Sequence, residues 1–160
     1  MVKPFRDRYD PSGVAGVPAH ITLLAPFKPP NELDERVLHD LRRCFERFEP
    51  VQFALSSIGR FPGELYLTPD PDEPFRQMTL AIWDRFPEAP PYGGKWASIT
   101  PHLSVAAQIS DDQQLDRIAG DFEQASQGIL PIQAIVGSAL LVENSSGDWL
   151  VRETFRLGRG

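Results

Sequence analysis

One cysteine in 160 residues, Cys44, leaves nothing for an internal disulfide. No apolar run approaches the eighteen or so residues that a membrane-spanning helix needs. The amino terminus, MVKPFRDRYD, has no apolar segment of the kind that heads a secreted protein. Together these absences lead us to expect a cytoplasmic protein in a reducing compartment, with no membrane partner. Net positive charge is missing as well. Sixteen Lys and Arg against 22 Asp and Glu give a net charge of -6, which argues against a long tract of duplex nucleic acid, whose binding needs many clustered cations to displace the condensed counterions. A small anionic ligand held by a few local groups stays compatible with that balance. Histidine is scarce too, at three residues.

What is present is ordinary globular material. Apolar residues make up 41% and charged residues 24%, while 16 prolines imply sharply punctuated loops. A chain of this length buries roughly two thirds of its unfolded surface and needs no covalent staple. Val37, Leu38, Leu41, Phe45 and Phe48 recur at helical spacing, predicting a helix over 32–48 with Asn31 as its cap. VQFALSSIGRF and LYLT, separated by FPGE, read as a β-hairpin. Asp72 opens a second helix with Phe75, Met78, Ile82, Trp83 and Phe86 on one side. After a Pro/Gly-rich loop, HLSVAAQ alternates like a strand. Ser110 and Gln113 then form a capping-box signature for a third helix through Leu115, Ile118, Ala119 and Phe122. PIQAIVGSALLVE and WLVRETFRL, joined by NSSGD, complete a final hairpin.

The order of elements repeats. PVQFALSS begins at Pro50 and PIQAIVGS at Pro131, and a similar offset separates His20 from His102. A duplicated strand, helix and hairpin unit packed about a pseudo-twofold axis accounts for this, giving an α+β fold. Two ordinary α+β halves that resemble each other by chance are the competing account. The expected organisation is one bilobal domain over 1–160, with lobe one about 14–86, a linker about 87–100 and lobe two about 101–157.

The repeat carries chemistry. In PAHITLLAPF, alternation along an expected strand puts His20 and Thr22 on one face and aliphatic groups on the other. His20-Ile21-Thr22-Leu23 recurs as His102-Leu103-Ser104-Val105. An imidazole titrates near neutrality, so a pair of them supplies a base and an acid for breaking a phosphodiester. The Thr22 and Ser104 hydroxyls would donate to the nonbridging phosphate oxygens, where charge builds in the transition state. The scheme calls for no metal and no cofactor. His39 lies on the polar face of its helix, and Cys44 on the apolar stripe as a small core residue.

RYDPSGVAGVPAHITLLAPF and PYGGKWASITPHLSVA resemble the 2H phosphoesterase superfamily, named for its paired H-x-[TS]-x motifs. The similarity spans nearly the whole chain and is strongest to the bacterial 2′-5′ RNA ligase-like family. The resemblance implies a two-lobed α+β structure with antiparallel sheets facing a central groove. It implies His20 and His102 as the catalytic pair and Thr22 and Ser104 as substrate-binding residues. It further implies metal-independent action on 2′,3′-cyclic or 2′-5′ phosphodiester bonds of RNA ends or small nucleotides, reversible in principle as ligation. Relatives often carry an additional strand ahead of the Tyr9-Asp10-Pro11 segment, where this sequence has MVKPFRD. Phe27, Phe61, Tyr92 and Trp96 are candidates to stack a base and Lys95 to meet a phosphate. A monomer is expected. The alternative is a noncatalytic module of the same fold that binds a nucleotide or RNA end without turnover.

Overall fold

In the computed structural model, which describes residues 1–95 and 97–158, the chain forms two compact units. The first comprises residues 1–22, 53–71 and 101–134, and the second residues 23–52, 72–100 and 135–160. The units thus interleave in sequence, whereas the lobes expected from the repeat run consecutively. The fold is α+β, with antiparallel pairing in both of its sheets. No described helix is long and apolar enough to cross a membrane.

The first unit opens with α1, Val2–Tyr9, followed by the short α2, Pro11–Val14. Neither was anticipated from the sequence. Pro4 is tolerated in α1 because the first-turn N–H groups have no intrahelical partner to lose. Val2, Phe5 and Tyr9 share one side, and Phe5 meets Phe122 edge to face at 5.0 Å. Asp10 caps α2 by accepting from the Ser12 N–H at 3.0 Å.

Strand β1, Val51–Phe61, turns through Gly63 into β2, Glu64–Asp70, as the hairpin signal predicts. Gly63 adopts φ +74, a conformation that glycine takes without penalty. β3, Leu103–Ala106, pairs antiparallel with the other side of β2, and β4, Ile132–Val136, lies beside β1, giving the order β3-β2-β1-β4. Helix α5, Asp112–Ser126, packs on this sheet. Its cap is Asp111 rather than Ser110, because the Asp111 carboxylate accepts from the Gln113 N–H at 3.0 Å. Leu65, Leu67, Leu103, Val105, Ala106, Leu115, Ile118 and Phe122 form the core, each large side chain stabilising by about 1.5–3 kcal/mol on burial.

In the second unit α3, Glu35–Phe45, starts three residues later than expected, with Asp34 in place of Asn31 as cap: its carboxylate accepts from the Val37 N–H at 2.9 Å. Pro29 and Pro30 divert the preceding residues into a single 3₁₀ turn. Helix α4, Glu73–Arg85, buries Phe75, Met78 and Ile82, while Trp83 stays 39% exposed. Asp72 directs its carboxylate to Arg76 instead of the helix N–H groups. β5, Ser138–Glu143, and β6, Leu150–Arg156, form a two-stranded sheet, with Phe45 stacked on Phe155 at 5.3 Å. The single strand expected over 131–143 breaks at Gly137 into β4 and β5. Cys44 is buried as expected, and burial pushes its thiol up from the ordinary range despite nearby arginines.

The principal correction concerns PAHITLLAPF. The segment is not a strand: residues 18–29 carry no ladder. Pro18 and Pro26 lack the N–H that pairing needs. Two of its carbonyls are instead taken by side chains, Pro18 O by His20 and Leu23 O by Thr79, and Ala25 O accepts from the Tyr92 N–H.

Candidate functional site

All four motif residues, His20, Thr22, His102 and Ser104, belong to the first unit. The second motif is the better ordered by regular structure. His102 sits immediately before β3, and alternation buries Leu103 and Val105 on one face while His102 and Ser104 occupy the other. Across the ladder, Ser104 is paired with Tyr66, and Tyr66 in turn with Gly59. The residues of this face therefore come from three strands.

That register explains the seat of the His102 ring. Tyr66 lies 5.1 Å from it and Phe61 5.3 Å, the latter edge to face, and Phe61 and Tyr66 contact each other at 4.4 Å. Gly59 makes the arrangement possible, because a β-carbon there would fall 2.3 Å from the Tyr66 ring. Phe61 is thus the aromatic candidate placed against a motif histidine. Phe27 packs on Phe86 at 5.2 Å within the second unit, to which Tyr92 and Lys95 also belong. Trp96 lies outside the described residues.

Glu64, unmarked by the sequence reading, completes this face. Two residues before Tyr66 on β2, it projects to the same side. Its Oε1 accepts from the Ser104 hydroxyl and lies 3.3 Å from His102 Nε2. Burial pushes the Glu64 carboxyl up, but hydrogen bonds from His102 and Ser104 and the charge of His102 outweigh it, holding it below the usual carboxylate range. Tyr66 is pushed up by burial and by the adjacent Glu64 charge. The period-2 pattern, combined with the FPGE hairpin, was the signal that could have found Glu64.

The first motif is held differently. His20 is exposed, and its Nδ1 lies 2.8 Å from Pro18 O. A backbone carbonyl only accepts, so Nδ1 carries the hydrogen and Nε2 of the neutral ring keeps a lone pair. Pro18 O also accepts from Arg6 Nη2, at 3.4 Å. The same guanidinium donates to Val17 O at 3.0 Å, to Ser12 Oγ at 3.2 Å and, through Nη1, to Ser104 O at 3.1 Å. One side chain thereby ties the backbone leading into the first motif to the backbone of the second. Arg6 is 2% exposed and is charge-paired with Asp10 at 2.6 Å, which is how a guanidinium is tolerated in the interior. Gly13 allows the close packing, since a β-carbon there would lie 2.5 Å from Arg6 O.

Comparison with known proteins gives the same family as the motifs. The family model described as the 2′-5′ RNA ligase superfamily matches residues 2–148. A Bacillus licheniformis protein named "Putative phosphoesterase" is 29% identical, the match covering 99% of this chain and 90% of that protein. A Bacillus cytotoxicus protein of the same name is 30% identical, covering 97% and 87%. The crystal structure of TT0787 from Thermus thermophilus is similar in fold, with a TM-score of 0.60 at 18% identity, covering 98% of this chain and 86% of that one. The extent of the family match, with both H-x-hydroxyl motifs inside it, places the chain in the 2′-5′ RNA ligase superfamily.

Proposed function

We propose that this protein is a phosphodiesterase that opens 2′,3′-cyclic or 2′-5′ phosphodiester bonds at RNA ends or in small nucleotides. His20 and His102 are its catalytic residues, Thr22 and Ser104 its phosphate-binding residues, and it uses no metal. The observation that carries the reading is the Arg6 guanidinium bonded at once to Ser104 O and to Pro18 O, the carbonyl on which the His20 ring rests. The family match and the names of the relatives support phosphoesterase chemistry.

The unequal settings of the imidazoles divide the work between them. His20, with its hydrogen committed to Pro18 O, presents a lone pair at Nε2 and removes the proton of the attacking water. As the new P–O bond forms and the bond to one ribose oxygen breaks, His102 gives that oxygen its proton. The Glu64 carboxylate beside His102 Nε2 favours a proton there before turnover. The Thr22 and Ser104 hydroxyls donate to the phosphate oxygens as charge gathers on them. Each acid or base role is worth about 10² to 10⁴ in rate.

The test is hydrolysis of adenosine 2′,3′-cyclic phosphate in the presence of EDTA. Turnover is expected, with a bell-shaped pH profile, and His20→Ala and His102→Ala should each lower the rate by at least about a hundred-fold. Rates that survive both substitutions overturn the assignment. Binding of the nucleotide without turnover by the unaltered protein would instead identify a noncatalytic module.

A further inference from the structure

Glu64 stands in neither motif, yet its Oε1 takes the Ser104 hydrogen and lies 3.3 Å from His102 Nε2. Ser104 is one of the phosphate-binding groups proposed above and His102 the acid, and the inference rests on that reading. A serine hydroxyl has one hydrogen to donate. Ser104 therefore cannot donate to Glu64 and to a phosphate oxygen together, so a bound phosphate must take the place of Oε1. The displaced carboxylate stays tethered at the first residue of β2, within a few ångströms of the ligand. In the free site burial works to raise its carboxyl, but the contacts to His102 and Ser104 hold it below the usual carboxylate range, so it meets the ligand as a carboxylate at neutral pH.

We propose that Glu64 is a specificity-determining residue that discriminates phosphates by charge, accepting singly charged diesters and disfavouring doubly charged monoesters. Both ligands must break the same Ser104 contact, so that cost cancels between them. What remains is one additional negative charge on the monoester, facing a carboxylate in a half-buried site. A diester carries one negative charge, and a terminal phosphate close to two above its second pKa near 6. Hydrolysis converts the first into the second. The charge that admits the substrate thus helps expel the product, and the reacting groups His20 and His102 need take no part in that step.

The experiment compares wild type with Glu64→Gln, which keeps an oxygen to accept from Ser104 and removes the charge. The quantities are KM for adenosine 2′,3′-cyclic phosphate and the competitive inhibition constants of adenosine 2′- and 3′-monophosphate, at a pH above the second ionisation of the monoesters. The inhibition constants should fall about ten-fold further than KM, in keeping with one extra like-charge pair at partly screened contact distance. Glu64→Ala should shift the ratio in the same direction. A ratio equal to that of wild type in both variants, or a rise in it, overturns the proposal. A residue with a merely structural role would weaken diester and monoester alike and leave the ratio unmoved. Ser104→Ala and His102→Ala separate this failure from that of the underlying reading: if both bind the monophosphates as wild type does, the phosphate assignment itself is wrong.

Discussion

The two histidine segments share one pattern, an imidazole followed two residues later by a hydroxyl, and are built in opposite ways. His102 enters a β-strand, and its ring is seated by two aromatic rings and a carboxylate from the neighbouring hairpin. His20 lies on irregular, proline-bounded backbone, and its ring rests on a carbonyl two residues away. One segment is positioned by a sheet register, the other by a buried arginine that grips its carbonyls. A repeated motif therefore specifies which groups are presented, while the means of presenting them diverges. The two rings therefore meet different acceptors, a backbone carbonyl at His20 Nδ1 and a carboxylate at His102 Nε2.

Removing the arginine should break the comparison most severely. Arg6→Met leaves the Asp10 carboxylate, 5% exposed, without its charge partner, takes the guanidinium from Ser104 O and Val17 O, and leaves Pro18 O with the His20 ring alone. Breaking a buried pair of this kind costs about 3–5 kcal/mol. Chemical denaturation should show a loss of that order, and Arg6→Met combined with Asp10→Asn should recover part of it. The His20 segment should lose hydrogen-exchange protection at Val17 to a greater degree than β2 does at Leu67, because only the former depends on the guanidinium.

The reciprocal test strikes the sheet-built side. Gly59→Ala forces a methyl against the Tyr66 ring, which is already packed on Phe61 and His102. Overpacking of this kind costs about 1–3 kcal/mol. Hydrolysis should fall along with denaturation stability, while exchange at Val17 stays as in wild type. Below this in size come the two hydroxyls. On the proposed reading Thr22→Val and Ser104→Ala each delete one hydrogen bond to a phosphate oxygen, and each should lower kcat/KM by about ten-fold or somewhat more. Equal stability of Thr22→Val in denaturation would show that its loss belongs to substrate, whereas Ser104→Ala also gives up the contact with Glu64.

The sequence made the two motifs more legible than the scaffold that carries them. The paired H-x-hydroxyl motifs stand out because histidine is rare in the chain and the spacing recurs. Alternation placed His102 and Ser104 correctly, since a real strand there buries Leu103 and Val105. The same alternation misled at His20: a period of two describes which side chains share a face, but says nothing of whether proline leaves enough N–H groups to pair. Arg6 was hidden because a single arginine in MVKPFRD looks like any solvated charge. Its role exists only once α1 packs against β3. Glu64 was hidden for a related reason, being one turn residue among FPGE until the register of β2 with β3 sets it beside Ser104. Helix caps slipped by one to three residues where two acceptors competed, as at Ser110 and Asp111.

The smallest expected effect is also the one that isolates the carboxylate from the catalysis. Burial works to raise the Glu64 carboxyl, and the His102 and Ser104 contacts overcome it, so its folded pKa lies below the unfolded one. A depressed carboxylate contributes stability that is fully present above the unfolded value, near 4.3, and is lost as pH falls through the folded value. The side chain is 23% exposed, and solvent screening keeps the contribution modest. Thermal unfolding of wild type and Glu64→Gln should therefore differ most at neutral pH and converge as the solution is acidified below the ordinary carboxylate range. Parallel curves down to that range would mean that the carboxylate gains nothing from His102 and Ser104 in the folded chain. The sheet-built motif would then be held by its aromatic rings and its register alone.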